Sequence, residues 1–239
     1  MMKIVCCGSS FSSLDPALPN THYSEIISQQ LGAELINIAK PGSSNFAIRL
    51  QIDTAIQLEP DLILFEFASA SRLDLPLKVL GDDKQYQSNN LAHNLRYTNY
   101  HSVVPDVIQH DQESIISDSI SNLINENCFV TNEKLTTASR QALKSWFIEL
   151  YDEPIAYHKD FYIASSVHWP LQQSKIPYLW TRGDLCMFDW NLYPNQVDDA
   201  GNPWLVTNMT STTYHTSVGQ QIEIANSWLT AYNKFWNTG

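Results

Sequence analysis

The chain has 239 residues, 44% of them hydrophobic, which suits one substantial folded core and does not indicate disorder. Its 25 acidic residues outnumber the 14 basic ones and give a net charge of -11 at pH 7, so a nucleic-acid backbone or an anionic membrane surface would be repelled on average. No apolar run approaches the roughly 20 residues that cross a bilayer, and the N-terminus enters a strand pattern without a signal peptide, so we expect a soluble cytoplasmic protein with no membrane or nucleic-acid partner.

The first element is an apolar run at residues 2–7 that leads into Gly8-Ser9-Ser10-Phe11-Ser12. This pattern is typical of a buried strand that ends in a tight turn. Open α/β sheets bind ligands at the carboxyl ends of their parallel strands, so Ser10 is a candidate functional residue. Turns favour small residues in any case, so an ordinary loop is the simpler interpretation of this stretch alone.

Strand, small-residue turn and helix then follow one another again, and a third strand also ends in small polar residues. The predicted elements are a helix over about 22–31 capped by Thr21 and ended by Gly32, a strand at 34–39, a turn at 40–45, a helix that ends before Pro60, a strand at 61–67 and a polar segment at 68–72. Crossovers between parallel strands predict a doubly wound sheet. We expect a cleft lined by Ser10, the Gly42–Asn45 turn and the Ser69–Arg72 segment.

The second half of the chain has less regular patterning. We interpret residues at about 76–110 as an irregular insertion or lid and about 111–174 as a helical segment, with one helical stretch from Pro154 towards Gln173. A fourth strand is predicted at 175–180, where Pro177 suits an edge strand or a strand start. A last helix, capped by Thr216 or Ser217, is predicted to pack inward through Ile222, Ile224, Ala225, Trp228, Leu229 and Tyr232. No repeat or linker divides the chain, which predicts a single domain over 1–239.

The four cysteines do not suggest a metal site or a disulfide framework. Cys6 and Cys7 are neighbours in the first strand, where side chains alternate between the two faces, and Cys128 and Cys186 stand alone. Without a Cys-x-x-Cys pair or a histidine at ligand spacing, we expect reduced buried thiols, no bound metal and no cofactor.

One of the seven histidines, His215, lies where a loop meets the last helix, a place from which an imidazole can reach a serine at an earlier strand end. A serine hydroxyl becomes a nucleophile when a base within hydrogen-bond reach accepts its proton, and that base needs a carboxylate or an equivalent group behind it. The N–H groups of Ser10 and Gly42 and the amide of Asn45 are candidate donors to an oxyanion. We interpret His22, His93, His101, His110, His158 and His168 as surface or capped histidines.

Two stretches resemble sequence blocks of the SGNH, or GDSL-type, hydrolases. Residues 8–12 match the block Gly-Asp-Ser-Leu/Phe-Ser/Thr except that Ser9 replaces the aspartate, and the resemblance implies that Ser10 is the nucleophile. Residues 37–45 match the block in which an asparagine precedes a glycine, which implies that the Gly42 N–H binds the oxyanion. The Pro-Gly-Ser-Ser-Asn sequence at 41–45 is similar to that of SGNH-like proteins of tailed phages.

Two further family blocks have counterparts in this chain that depart from the family pattern. The family has Gly-x-Asn-Asp where this chain has Glu66-Phe67-Ala68-Ser69, so the oxyanion asparagine is absent and Asn45 or Ser69 is its candidate substitute. The family block Asp-x-x-His matches residues 212–215 with Thr212 in place of the aspartate and His215 in place. Either a preceding loop supplies the acid, or the site is a dyad, or catalysis has been abandoned. The candidate acids are Asp184, Asp189, Asp198 and Asp199.

The resemblance covers residues 1–72 and about 205–232, and it implies a three-layer α/β/α, flavodoxin-like fold with a mainly parallel sheet. It implies a serine esterase that acts on an ester or O-acetyl group, with the Gly42 N–H at the oxyanion. Asn45, Ser69 and Arg72, which line the predicted cleft, are further candidate oxyanion or substrate-binding residues. The polar and aromatic insertion favours a saccharide or another polar small-molecule ester as substrate. The competing hypothesis is a catalytically inactive protein of the same fold that binds a ligand or is associated with a phage virion. If the chain is phage-encoded, we expect it in the host cytoplasm or in the virion. The sequence does not predict an oligomeric state.

Overall fold

The structure is a computed structural model that describes residues 1–15, 18–40, 43–68, 149–181 and 217–236, the backbone of 73–74 and 102–103, and the single positions 142, 145, 146, 195 and 197. Its elements are β1 (Lys3–Cys7), α1 (Tyr23–Leu31), β2 (Glu34–Asn37), α2 (Asn45–Gln57), β3 (Leu62–Glu66), β4 (Leu73–Asp74), β5 (Ser102–Val103), α3 (Glu153–Ser165), α4 (His168–Ser174), β6 (Tyr178–Thr181) and α5 (Val218–Trp236).

Four of the strands form one parallel sheet in the order β2-β1-β3-β6. β4 and β5 pair antiparallel as a separate two-stranded ladder. Because the four strands run in the same direction, their carboxyl ends, after Cys7, Asn37, Glu66 and Thr181, meet at one edge of the sheet. The predicted α/β class with a parallel sheet is therefore confirmed.

Helices cover both faces of this sheet, and the alternation of side chains along β1 shows how. Ile4 and Cys6 point into a core that contains residues of α1 and α5, whereas Val5 and Cys7 point into a second core that contains residues of α2, α3 and α4. Both cores include large side chains that are fully buried, such as Trp180 on one face and Trp228 on the other. The arrangement is the predicted three-layer α/β/α sandwich.

The two cysteines of β1 are buried and have free thiols, as expected from the sequence. Burial raises the pKa of the Cys6 thiol to about 12, against the smaller opposing effect of its hydrogen bond with Tyr23. Burial likewise raises the pKa of Cys7 well above its ordinary value. Both thiols are therefore protonated at neutral pH and serve as small core residues.

The N-terminal end of α1 differs from the prediction, because His22 and not Thr21 is the N-cap. The His22 side chain accepts a hydrogen bond from the Ser24 N–H at 3.3 Å, and the Glu25 carboxylate accepts one from the His22 N–H at 3.1 Å, which completes a capping box. The Thr21 hydroxyl donates instead to the Leu18 carbonyl at 2.6 Å. The predicted end at Gly32 is confirmed by its left-handed φ of 61°.

Other element boundaries shift by a few residues. β2 ends at Asn37 and not at 39, and the predicted strand at 175–180 is β6, which begins directly after Pro177. The helical stretch predicted from 154 towards 173 is interrupted at Ser166 and Val167 and forms α3 and α4. The insertion at 76–110 lies outside the described residues apart from 102–103, and so does most of 111–148, where residues 142, 145 and 146 are helical.

The last helix packs inward as predicted, with one exception. Ile224, Ala225, Trp228 and Leu229 are buried, whereas Ile222 is 46% exposed. Ile222 precedes Ile224 by two residues, which places it about 200° away around the helix and on the outer side.

Among the described helices, none is both long enough and apolar enough to cross a membrane.

Candidate active site

The first turn presents Ser10 directly after β1. The Ser12 N–H donates to the Ser9 carbonyl at 3.3 Å and the Ser13 hydroxyl donates to the same carbonyl at 2.8 Å, so the turn is closed around Ser10. Ser9 is fully buried, and Ser10 keeps 7% of its surface exposed. Within the described part of the chain, no hydrogen bond occupies the Ser10 hydroxyl.

Gln51, on the buried face of α2, joins this turn to the second one. Its Oε1 accepts the Gly8 N–H at 2.7 Å, while its Nε2 donates to the Gly8 carbonyl at 3.2 Å and to the Ser43 Oγ at 3.0 Å. Both backbone groups of Gly8 and the side chain of Ser43 are thus held by one fully buried amide. The start of the first turn is therefore fixed relative to α2.

Glu66, the last residue of β3, joins the first turn to the third strand end. Its Oε1 accepts two hydrogen bonds from Ser9, one from the backbone N–H at 2.7 Å and one from the hydroxyl at 2.6 Å. Both residues are fully buried. Hydrogen bonds of this length to a carboxyl oxygen are among the stronger ones in proteins, so the residue next to Ser10 is held firmly.

Asn45 joins the second and third strand ends. Its Oδ1 accepts the Ala68 N–H at 2.8 Å and its Nδ2 donates to the Ala68 carbonyl at 3.0 Å. The Ser44 Oγ accepts the Ala47 N–H at 3.1 Å and so caps α2, which begins at Asn45. Of the two N–H bonds of the Asn45 amide, one is used by Ala68, and the other has no acceptor among the described residues.

His22 ties α1 to the far side of the first turn. Its Nε2 lies 3.0 Å from the Phe11 carbonyl and its Nδ1 accepts from Ser24, so the neutral ring carries its proton on Nε2 and donates to Phe11. Burial lowers the pKa of His22 from 6.5 to about 4, against smaller opposing effects of the Phe11 carbonyl and the Glu25 charge. The neighbouring Tyr23 hydroxyl lies 2.7 Å from the Ser12 Oγ.

The titration of His22 predicts a loss of stability in mild acid. The unfolded chain binds a proton near pH 6.5 and the folded chain only near pH 4, so between these values the unfolded state binds more protons. The contribution of the neutral His22 imidazole to the free energy of unfolding is fully present above pH 6.5, the pKa of this group in the unfolded chain. It falls by about 3 kcal/mol as the pH drops to about 4.

The measurement is the free energy of unfolding of wild type and His22→Asn as a function of pH. Asparagine keeps an N-cap acceptor but does not titrate, so the advantage of the wild type is expected to shrink by about 3 kcal/mol between pH 7 and pH 4. Parallel pH profiles for the two proteins would contradict the buried neutral imidazole.

The start of α5 is fastened next to α1. The Ser217 N–H donates to the Gln220 Oε1 at 2.8 Å and the Ser217 Oγ accepts the Gln220 N–H at 3.3 Å, which caps the helix as predicted for Ser217. The Gln221 Oε1 then accepts the Tyr23 N–H at 2.7 Å. The chain from Ser217 onward is therefore held against the end of α1 that contacts the first turn.

Two of the site residues predicted from the sequence, Ser10 and Asn45, belong to this connected set of strand ends. The others lie outside the described residues: Gly42, Ser69, Arg72, Asp184, Asp189, Asp198, Asp199 and His215. For these eight positions the sequence-based assignments remain predictions.

Sequence reasoning did not assign roles to Gln51 and Glu66, although both leave a signal. Gln51 stands among Ile48, Ile52 and Ala55 on the buried face of α2, and Glu66 ends a strand that is otherwise apolar. A polar side chain at a position predicted to be buried requires a hydrogen-bond partner, and here that partner is the backbone of the candidate site.

No protein-family model matches the sequence, and no curated protein matches it either. Among solved structures, the chain is similar to the psychrotrophic esterase EstA of Pseudoalteromonas sp., with 12% identity, 99% of each chain covered and a TM-score of 0.39. A protein of the G-D-S-L family from Desulfitobacterium hafniense is 12% identical, with 97% of this chain and 99% of the other covered and a TM-score of 0.36. The acetyl xylan esterase AlAXEase is 9% identical, with 98% of this chain and 73% of the other covered and a TM-score of 0.35. Identities and TM-scores of this size assign neither a family nor an activity to the chain.

Proposed function

We propose that the chain is a serine hydrolase of the SGNH type that cleaves carboxylic esters of polar small molecules, with Ser10 as its nucleophile. The observation that carries the proposal is the Ser10 hydroxyl itself. It lies at the carboxyl end of the first strand of a parallel sheet, and within the described residues its hydrogen-bonding capacity is unused. The turn around it is held on both sides by buried side chains, which is the preorganisation that a nucleophile needs.

The proposed base is His215. Only Thr216 separates it from Ser217, whose cap bonds and whose helix are fastened through Gln221 to Tyr23. Tyr23 in turn contacts Ser12, two residues after Ser10. One of Asp184, Asp189, Asp198 and Asp199 supplies the carboxylate behind the imidazole, or the pair works as a dyad.

The proposed oxyanion donors are the Gly42 N–H and the second N–H of the Asn45 amide, with Ser69 and Arg72 as further oxyanion or substrate contacts. Asn45 is 1% exposed and is held by both backbone groups of Ala68, so its remaining N–H has a fixed direction. A donor that is fixed before the reaction stabilises developing negative charge without reorganisation.

The reaction then has two halves. The Ser10 oxygen attacks the ester carbonyl carbon while His215 accepts the hydroxyl proton, and the tetrahedral intermediate carries its negative charge on the former carbonyl oxygen. As the intermediate collapses, the bond between the acyl carbon and the alcohol oxygen breaks, and His215 gives the proton to the departing alcohol. The acyl group remains attached to the Ser10 oxygen. In the second half His215 takes a proton from water while the water oxygen attacks the acyl carbon. As this second tetrahedral intermediate collapses, the bond to the Ser10 oxygen breaks and His215 returns the proton to that oxygen, which releases the carboxylic acid and regenerates Ser10 and His215.

The second candidate function is binding without catalysis, and two residues favour it. Ala68 stands where the family has its oxyanion asparagine, and Thr212 stands where the family has its aspartate. Both substitutions remove groups that the reaction uses, so the same cleft would then hold a ligand without cleaving it.

The experiment that separates the two functions is hydrolysis of short-chain p-nitrophenyl esters and of acetylated oligosaccharides by wild type, His215→Ala and His158→Ala. We expect turnover by the wild type, a loss of about three orders of magnitude or more in kcat for His215→Ala, and unchanged turnover for His158→Ala. His158 is a suitable control because it is an exposed histidine on α3. A folded wild-type protein that hydrolyses none of these esters would support the binding function instead.

A further inference from the structure

Two departures from the family sequence pattern lie in direct contact with each other. Ser9 replaces the aspartate of the first block, and Glu66 replaces the glycine of the third block. In the fold the Ser9 N–H and hydroxyl both donate to the Glu66 Oε1, at 2.7 Å and 2.6 Å. The family pattern has a carboxyl group at position 9. In this chain the carboxyl group belongs to Glu66, the hydrogen-bond partner of residue 9.

We propose that Glu66 is the positioning residue of Ser10, and that its carboxyl group has taken over, from β3, the place of an aspartate in the first turn. The proposal rests on the proposed function, since it concerns how Ser10 is held for its reaction. Glu66 acts through Ser9 and does not itself touch the reacting atoms.

The geometry around Ser9 leaves it little freedom. Its N–H and its hydroxyl end on the same oxygen, which fixes both the peptide plane before Ser9 and the side-chain rotamer. The preceding residue, Gly8, is held through its N–H and its carbonyl by Gln51. The direction in which the chain leaves Ser9, and therefore the direction of Ser10, is set by these two buried side chains.

Glu66 is itself well placed to act as a fixed support. It ends β3, which lies inside the sheet between β1 and β6, and its backbone is in register with Thr181. Its Cγ would lie 2.5 Å from a Cβ built on Gly8, so the side chain passes directly over the turn with no space between them. A support of this kind moves only if the sheet moves.

The space at this contact suits one carboxyl group and not two. Ser9 and Glu66 are both fully buried, and two adjacent carboxylates in a buried place repel each other and lack enough donors. Aspartate at position 9 is therefore compatible with glycine at position 66, and serine at 9 with glutamate at 66. Aspartate with glutamate places two carboxyl groups in this space, and serine with glycine places none there.

The first test is a matched pair of variants at position 66. Glu66→Gln keeps an acceptor oxygen and nearly the same volume, whereas Glu66→Met keeps the volume and removes the acceptor. For a short p-nitrophenyl ester we expect kcat of Glu66→Gln to stay within about threefold of wild type, and kcat of Glu66→Met to fall by about tenfold to a hundredfold, the effect of a misplacement of about 1 Å, with KM little changed. Equal kcat values for the two variants would overturn the proposal.

The second test is the exchange itself, in wild type, Ser9→Asp, Glu66→Gly and the double variant Ser9→Asp/Glu66→Gly. We expect the double variant to exceed both single variants in thermal stability and in the rate at which a fluorophosphonate reacts with Ser10. The proposal would be overturned if the stability and the labelling rate of the double variant were no higher than those expected from combining the independent effects of the two single substitutions. Recovery of stability without recovery of the labelling rate would also overturn it, because Glu66 would then be only structural.

Failure of the proposed function gives a different result. A wild-type protein that neither hydrolyses esters nor reacts with the fluorophosphonate means that Ser10 is not a nucleophile. That result overturns the positioning role of Glu66 as well. Failure of this proposal alone is a wild-type protein that hydrolyses esters and is labelled, together with equal kcat values for Glu66→Gln and Glu66→Met or an exchange that does not recover the labelling rate.

Discussion

Ser10→Ala is expected to abolish ester hydrolysis, with kcat reduced by about three orders of magnitude or more. The variant removes the attacking oxygen, so no acyl-enzyme forms and only the binding and oxyanion groups remain. The fold is expected to tolerate the change, because the lost hydroxyl makes no hydrogen bond to another described residue. The measurement is kcat and KM on a short p-nitrophenyl ester, together with thermal unfolding of both proteins.

A serine of the same turn provides the matched control. The Ser12 Oγ lies 2.7 Å from the Tyr23 hydroxyl, so Ser12→Ala is expected to lose about 1 kcal/mol of stability and to keep its activity. If Ser10→Ala retains activity, or if Ser12→Ala loses activity to the same extent, Ser10 is not the nucleophile.

Gly8→Ala is expected to have the largest effect on stability in the first turn, a loss of about 3 kcal/mol or more in the free energy of unfolding. Gly8 has a φ of 149°, and a Cβ there would lie 2.5 Å from the Glu66 Cγ, 2.6 Å from the Ser12 Oγ and 2.7 Å from the Ser12 Cβ. These atoms cannot move away easily, because the Glu66 side chain is hydrogen-bonded to Ser9 and the Ser12 side chain is hydrogen-bonded to Tyr23. We expect the turn to be displaced and ester hydrolysis to fall with it.

Substitutions at two other glycines distinguish the effect of backbone strain from the effect of steric overlap. Denaturant unfolding gives the free energy of unfolding of all three Gly→Ala variants. Gly32 has a φ of 61° but nothing within 4 Å of a built Cβ, so Gly32→Ala is expected to lose only about 1–2 kcal/mol. Gly219 is the second residue of α5, and the nearest atom to a built Cβ there is the Ser217 Oγ at 3.9 Å. Gly219→Ala is expected to gain up to about 1 kcal/mol in the free energy of unfolding. A Gly8→Ala loss no larger than that of Gly32→Ala would contradict the tight contact with Glu66.

The fold class could be predicted from the sequence because it depends on local periodicity. Strands covered on both faces are apolar throughout, as β1 and β3 are, and each is followed by small residues and a helix. The α1 cap was the weaker inference. Thr21 has the usual chemistry of an N-cap, but His22 occupies that place because its ring also reaches the Phe11 carbonyl.

The candidate site could be predicted only where it lies in turns at strand ends. The sequence indicates Ser10 and the turn before Asn45, because small polar residues after apolar strands mark such turns. It does not indicate that Glu66 meets Ser9 or that Gln51 meets Gly8, since those contacts depend on the registers of β1 with β3 and of α2 with the sheet. A one-residue change of register would turn Glu66 to the other face.

The same limit explains why Asn45 has more than the single role that the sequence assigned to it. Its amide pairs with both backbone groups of Ala68, which stands at the position of the missing family asparagine. The contact between residues 23 positions apart fixes the end of β3 against the start of α2. Any oxyanion role of Asn45 uses the one N–H that this structural pairing leaves.

The central claim, that Ser10 is the nucleophile, is tested most directly by mass spectrometry of the protein after reaction with a fluorophosphonate. We predict one phosphonyl adduct per chain, located on the peptide that contains Ser10. It is formed by native wild-type protein and is absent from Ser10→Ala and from urea-unfolded wild type. An unmodified native protein, or an adduct on a different serine, would contradict it.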